Sequence, residues 1–476
     1  MGTLPERPRL ADHVVARRHL VGERSVVMLH DLRSGRAVQL GPREWELLAS
    51  ADGTRDLEGI LLAAAREGAH ARTPHLQSFL VQLHAAGFLA DIDAPEGETP
   101  GAHEPSQGDA ERALEVLADY TLHCDGQGSC CRQYETVLFA PLEAARARAA
   151  CPDVLEAGAK AERAFMPERG ATLRGGAAVA LVSGACAYLD AACRCRIHDA
   201  AGADAKPLGC RLFPATFVDD GVRVRVSAAV ECACVLASVG RPAGTPLVAP
   251  SLVTRAALAP EVDVVRVPPV VRVGVDRTTT SAELHAWSRE IAIAPASPDA
   301  VVLLLALADH VEREGLVPLA APPEDAARTR RHDDTLRAYL RALHARAERK
   351  AREGAAWRSE KDFARQALTW LARASSSLTE SGYFAGARVP PADPSREAFY
   401  VRASVWGHAL VLEEVPLATA LRDRATRLVL ARALARALAA TPETTDPALR
   451  EPIAVVEAML RGHGLAAYVH DVDAVR

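Results

Sequence analysis

Aromatic residues are scarce in this 476-residue chain, at 4%. Stacked rings therefore cannot carry the core, and alanine and leucine must, a bias that favours helix. Apolar runs are short. The longest, residues 300–308, falls far below what a bilayer span needs. The first residues, Met-Gly-Thr-Leu-Pro-Glu, lack a charged segment followed by an apolar one, so no signal peptide is expected. Glu6 stands where myristoylation needs Ser or Thr. A basic excess is also missing: the net charge is -5, and neither tail is basic, which argues against nucleic acid as a partner. Arginines at 328–373 alternate with acids and leucines and read as the solvated face of a long helix. The expectation is a soluble, cytoplasmic protein with no nucleic-acid and no membrane partner.

Cysteine is absent from residues 1–123 and 235–476, yet ten cysteines lie between Cys124 and Cys234. In a reducing compartment such clustering points to metal or redox chemistry before disulfides. Adjacent Cys130 and Cys131 point apart and pair poorly with each other. The thiols also recur beside tight-turn residues: Gly126 and Gly128 before the pair, Gly184 before Cys186, and Pro207-Leu-Gly before Cys210. Ligand loops need such turns, because several thiolates must converge on one ion at about 2.3 Å each for zinc. Four thiolates satisfy tetrahedral zinc or an iron–sulfur cluster equally, so the metal stays open. His123 and His198 read as supporting residues, since thiols are in excess.

The chain divides by pattern. Residues 10–92 hold two strand-like runs and a shorter third, then three helices. The first helix starts at Gly41-Pro42, the second carries Leu57, Ile60, Leu61 and Leu62, and the third begins at Thr73-Pro74 and ends before Gly87-Phe-Leu. Residues 93–110 are rich in Pro, Gly and Glu and read as a linker. Residues 111–240 form the cysteine domain, with helices and short strands. There, residues 215–227 read as a hairpin turning at Asp220-Gly221. Residues 241–280 read as an extended connector, and 281–476 as α-helical, with helices expected over 301–312, 334–352, 360–375, 397–411, 418–439 and 451–462. The fold class expected is α+β, mainly α.

Two family resemblances follow. Strand, Ser34-Gly35 turn, strand, Asp52-Gly53 before a Leu-rich helix, and a helix closing on Ala-Gly-Phe-Leu resemble the PqqD-like winged-helix module. That resemblance implies recognition of a precursor peptide by strand addition. The second rests on Cys124-x5-Cys130-Cys131, Cys186-Ala-Tyr-Leu-Asp190, Cys195-Arg-Ile-His198 and Lys206-Pro-x-x-Cys210-Arg-x-Phe-Pro214. Their order resembles the YkgJ-like CxxCxxCC cysteine-cluster family of zinc- or iron-chelating proteins. Gln127 stands where that family has a second opening cysteine, Lys206 replaces Arg and His198 replaces Tyr. In layout the helical C-terminal region is similar to the flagellin lysine N-methylase branch, which implies S-adenosylmethionine as methyl donor, an iron–sulfur cluster and a protein lysine as acceptor.

The metal ligands expected are Cys124, Cys130, Cys131, Cys186, Cys195, Cys210 and Cys232, with Cys193 and Cys234 as further candidates. No glycine-rich strand–turn–helix, P-loop or Ser/His/Asp elbow is present, and Glu231 and Tyr188 are base candidates by position alone. Two functions remain. One is a metal-dependent modifier of a peptide or protein, of the lysine N-methylase kind. The other is a metal-carrying accessory protein that presents a peptide to a separate enzyme.

Overall fold

The structure is a computed structural model. It describes residues 4–11, 13–21, 24–31, 37–90, 107–126, 128, 131, 138–154, 164–166, 177–183, 185–259, 262–293, 299–317, 330–352, 358–385, 389–411, 415–439 and 451–461. The expected linker at 93–110 lies outside them as far as residue 106, as does Cys130. Among the described residues half are helical and 17% lie in strands, which makes the class α+β and mainly α. Among the described residues no helix is long and apolar enough to cross a membrane.

By contacts the chain forms two compact units. Residues 1–104 join 126–211 and 356–359 in one, while 105–125, 212–355 and 360–476 make the other. The boundary runs through the cysteine-bearing stretch. Cys124, Cys232 and Cys234 belong to the second unit, and the other seven positions to the first.

In the first unit, strands Val14–Val21 and Arg24–Asp31 pair antiparallel with Val14 opposite Asp31, and Ala37–Leu40 adds to the second strand. Alternation sends Val14, Val27, Leu29 and Leu40 to one face. There they meet Trp45, Leu48, Ile60, Leu76 and Leu80 of the helices Pro42–Ala49, Leu57–Arg66 and Thr73–Ala85. Asp56 caps the middle helix, its carboxylate accepting the Gly59 N–H at 2.8 Å. The third helix ends at Gly87, whose φ of +81° suits a residue without Cβ. On its other side Val14–Val21 pairs in parallel with Leu181–Val182, which pairs with Ala185–Cys186, so five strands share one sheet. A smaller core gathers Phe139, Phe165, Val179, Tyr188 and Ile197 under the helix Pro141–Ala150.

The second unit is built on a four-stranded sheet ordered Val264–Arg266, Ala215–Asp219, Val224–Ala228, Leu114–Val116. Its central hairpin turns at Asp220-Gly221, as the alternating valines require. Helices Ser281–Ile293, Ala300–Glu314, Arg330–Arg352, Arg358–Glu380, Pro394–Trp406, Leu417–Ala439 and Pro452–Arg461 follow. The first of these was not among the six expected. The helices expected at 334–352 and 360–375 are both present, and Leu336, Leu340 and Leu343 are buried in the core.

Leu417–Ala439 is the central helix, and as far as Leu434 it is largely buried, with the charged Asp423, Arg424, Arg427 and Arg432 included. Arg432 Nε donates to Glu397 at 2.9 Å and its NH2 to Asp299 at 2.8 Å. Arg427 pairs with Asp423 at 2.7 Å and Glu457 at 2.8 Å, and Arg424 reaches Glu457 at 3.0 Å. Charges so deep are tolerable only when paired.

A second polar hub sits under the hairpin turn. Asp220 is fully buried. One of its oxygens accepts the backbone N–H groups of Val222 at 2.9 Å and Arg223 at 2.7 Å. The other accepts from His285 Nδ1 at 2.7 Å, His408 Nε2 at 3.1 Å and Arg225 Nε at 3.3 Å. Burial alone would raise the Asp220 pKa. The hydrogen bonds from His285, His408 and the turn outweigh it and hold the carboxyl well below the usual range. The Arg225 guanidinium also stacks 4.0 Å above the Trp406 ring.

A carboxyl with a depressed folded-state pKa lends stability that is present above its unfolded value, about 3.9, and is lost as pH falls through the folded one. Asp220→Asn should therefore cost about 3–5 kcal/mol at pH 7 in urea unfolding, as breaking a buried charge network does. The gap to wild type should narrow below about pH 4. A gap constant down to pH 2 would contradict the hub.

Candidate metal centre

The metal-like site stands on two arms of the second unit. The first arm is the chain from Tyr120 to Asp125. Leu122 and Thr245 exchange backbone hydrogen bonds of 2.7 and 2.9 Å, and Thr121 Oγ1 accepts the Gly244 N–H at 3.1 Å. Tyr120 O–H donates to the Val235 carbonyl at 3.1 Å, and the His123 N–H donates to Ser238 Oγ at 2.8 Å. Burial raises the Tyr120 pKa, so the phenol stays a donor. Cys124 and Asp125 then emerge, exposed, at the end of this clamped segment. The second arm is the short helix Ala233–Ala237 that follows the hairpin, with Cys232 at its N-cap and Cys234 buried in its first turn.

The arms bring Cys124 Sγ, an Asp125 carboxylate oxygen and Cys234 Sγ within 4.8 Å of one another, the one such three-donor group among the described residues. Tetrahedral zinc with Zn–S near 2.3 Å sets its sulfurs about 3.8 Å apart, so small side-chain movements suffice. Cys234 Sγ donates to Asp125 Oδ1 at 3.2 Å. The largest single influence on its pKa is the hydrogen bond from Cys124, which lowers it. The hydrogen bond to Cys232 and burial outweigh that and push it up to about 12. Without metal, Cys234 is thus a protonated thiol, and an ion that binds it displaces the proton.

The other expected ligands lie in the first unit. Cys186 ends the short strand Ala185–Cys186, and Cys195 is the N-cap of the helix Arg196–Ala201. Cys193 sits in the turn between them at φ +61°. Cys210 lies in the helix Leu208–Leu212, and Cys131 is half-buried. Gly128 of the opening motif packs so tightly on this turn that a Cβ there would lie 2.6 Å from the Cys193 carbonyl oxygen. Cys151 is buried at the end of Pro141–Ala150, and burial raises its pKa. No three-donor group joins these thiols among the described residues.

Asp125 is the donor that sequence reasoning missed. Its only signal was a carboxylate next to Cys124 and ahead of Gly126, a pairing too common to single out. His123 supports the site by its backbone, and His198 is exposed on its helix. Tyr188 and Glu231 are both buried, Tyr188 against the rings of Phe165 at 6.0 Å and Phe139 at 6.3 Å. No family model matches the chain, and no curated protein or solved structure matches it either.

The clamp can be tested without touching a ligand. A Cβ on Gly244 would fall 2.8 Å from His123 Nε2, the Leu122 carbonyl and Thr121 Oγ1. Gly244→Ala should cost about 1–3 kcal/mol as an overpacked site does, and should weaken zinc binding by displacing the Cys124 arm. Gly209→Ala, where a Cβ meets nothing within 4 Å, should do neither in thermal melts and zinc titrations.

Proposed function

We propose that the protein is a metal-binding protein, with zinc held by Cys124, Asp125 and Cys234 and completed by Cys232. The observation that carries the reading is the convergence of the three donor atoms within 4.8 Å. A mixed sulfur and carboxylate set suits zinc, whereas iron–sulfur clusters are held chiefly by thiolates. Cys232 is the nearest candidate for a fourth donor because it interacts with Cys234, although its sulfur lies outside the 4.8 Å group. Exposure of Cys124 and Asp125 leaves one side open, as in sites that exchange ligands or act on a substrate.

For the whole chain the proposal is action on a peptide or protein. Residues 10–92 recognise the partner, through the edge strand Ala37–Leu40, and the remainder carries the metal. The strand order of the first unit, with Ala37–Leu40 at one edge, supports this. The resemblance of the cysteine motifs suggests lysine N-methylation with S-adenosylmethionine as the reaction, and a presenting accessory role as the alternative.

Anaerobic purification followed by zinc, iron and sulfide analysis tests the metal. One zinc per chain, lost in Cys124→Ser and Cys234→Ser, weakened 10-fold or more in Asp125→Asn and retained in Cys151→Ser, is the expected pattern. Equal zinc loss in all four, or iron with sulfide in place of zinc, overturns it. Co-expression with small neighbouring open reading frames and intact-mass measurement tests the activity. A 14 Da gain on a bound partner, about one methyl group, is the expected result, and tight binding with no gain favours the presenting role.

A further inference from the structure

The two sulfurs of the site differ in exposure. Cys124 is exposed and follows directly on His123, whose backbone N–H donates to Ser238 Oγ at 2.8 Å. Cys234 is buried within a helical turn, where its carbonyl accepts from Ser238 Oγ at 2.6 Å. Their sulfurs already lie within 4.8 Å, and a disulfide needs about 2.05 Å. The exposed Cys124 side chain has the room to turn through the missing distance, whereas the buried Cys234 does not. Cys232 is less suited, because the backbone entering one short helix fixes both it and Cys234.

We propose that Cys124 and Cys234 form an oxidation-sensitive pair, which a peroxide converts to a disulfide with ejection of the metal. The proposal rests on the metal reading above. The Asp125 carboxylate beside Cys124 disfavours an anionic oxidant and leaves a small neutral peroxide as the class that reaches the sulfur. The Cys124 sulfur attacks one peroxide oxygen, the O–O bond breaks, and the departing hydroxide takes a proton to become water. The sulfenic acid so formed is attacked by the Cys234 sulfur. The S–S bond forms, the S–O bond breaks and a second water leaves. The two thiolates lose two electrons, and hydrogen peroxide accepts both with two protons. Two of the donors are then gone, and Asp125 with Cys232 alone cannot hold zinc tightly.

The full-length protein, purified under reducing conditions, is assayed first for zinc. Hydrogen peroxide is then added stepwise while released zinc is read with a chromogenic chelator, thiols are counted and peptides are mapped by mass. The expected result is one zinc released per two thiols lost, a Cys124–Cys234 crosslinked peptide pair, and recovery of zinc binding after dithiothreitol. Sulfinic or sulfonic acid at Cys124 without a crosslink, a Cys232–Cys234 crosslink, or zinc retained after thiol loss overturns the proposal. Absence of zinc before peroxide strikes the metal reading instead. The crosslink is mapped on metal-free protein as well, so the two failures are told apart.

Discussion

The buried carboxylate of Asp220 sets the geometry on which the second unit depends. Five donors converge on it, from the hairpin turn, from Arg225 of the second hairpin strand, from His285 of Ser281–Ile293 and from His408 beyond Pro394–Trp406. A charge in such a place is costly unless every lone pair is met, and here the need to meet them fixes sheet and helices in one arrangement. His408 shows the cost. It takes φ +51°, a conformation uncommon for a side chain of its size, and its Nδ1 is buried without a hydrogen-bond partner. Burial lowers the His408 pKa despite the carboxylate, so the ring is neutral and gives its one proton to Asp220. The hairpin held this way runs directly into Cys232-Ala-Cys234, so the hub also positions the rigid arm of the metal-like site.

The same logic operates in the helical layer. In Leu417–Ala439 the middle arginines, Arg424, Arg427 and Arg432, are turned inward onto Asp299, Glu397, Asp423 and Glu457. Tyr400 and Tyr339 donate to Glu457 and Asp423, and burial raises both phenols well above their usual range, so they remain donors. Such pairs add little net stability over an apolar core, but they penalise any packing that separates them.

The sequence made some of this legible. The hairpin was readable because Val222, Val224 and Val226 alternate around an Asp-Gly turn, and the central helix because leucine recurs along it. Ser281–Ile293 was not, since its buried face carries Leu284, Trp287, Ser288 and Ala292, too mixed in polarity to show a stripe. Residues 178–183 read as a strand, but the partners of Leu181–Val182 do not show, because pairings two residues long carry no period. Cys124 and Cys234 were readable as ligand types, yet nothing local says that these two, 110 positions apart, meet each other. Asp220 was readable as a turn residue only. Its histidines come from 65 and 188 positions away, and such partners are chosen by tertiary packing, not by spacing.

The separation of the two arms bears on what an ion bound between them could add to the fold. Linking residues about 100 apart removes unfolded-chain entropy worth roughly 4.7 kcal/mol when the link is the first to close that loop. Here it is not the first. Leu114–Val116 already lies parallel to Val224–Val226, Ala113 bridges Thr254, and Leu122 pairs with Thr245. These backbone contacts close nearly the same loop without any ion, and the adjoining core of Leu117, Tyr120, Val235 and Leu236 holds it shut. An ion added between Cys124, Asp125 and Cys234 therefore gains little of that entropy. A fold that needed zinc as a staple would place the ligands where no other contact did the work, and would bury them. This one places Cys124 and Asp125, though not the buried Cys234, at the exposed end of a segment that is already fastened, so an ion bound there would not be the staple of the fold.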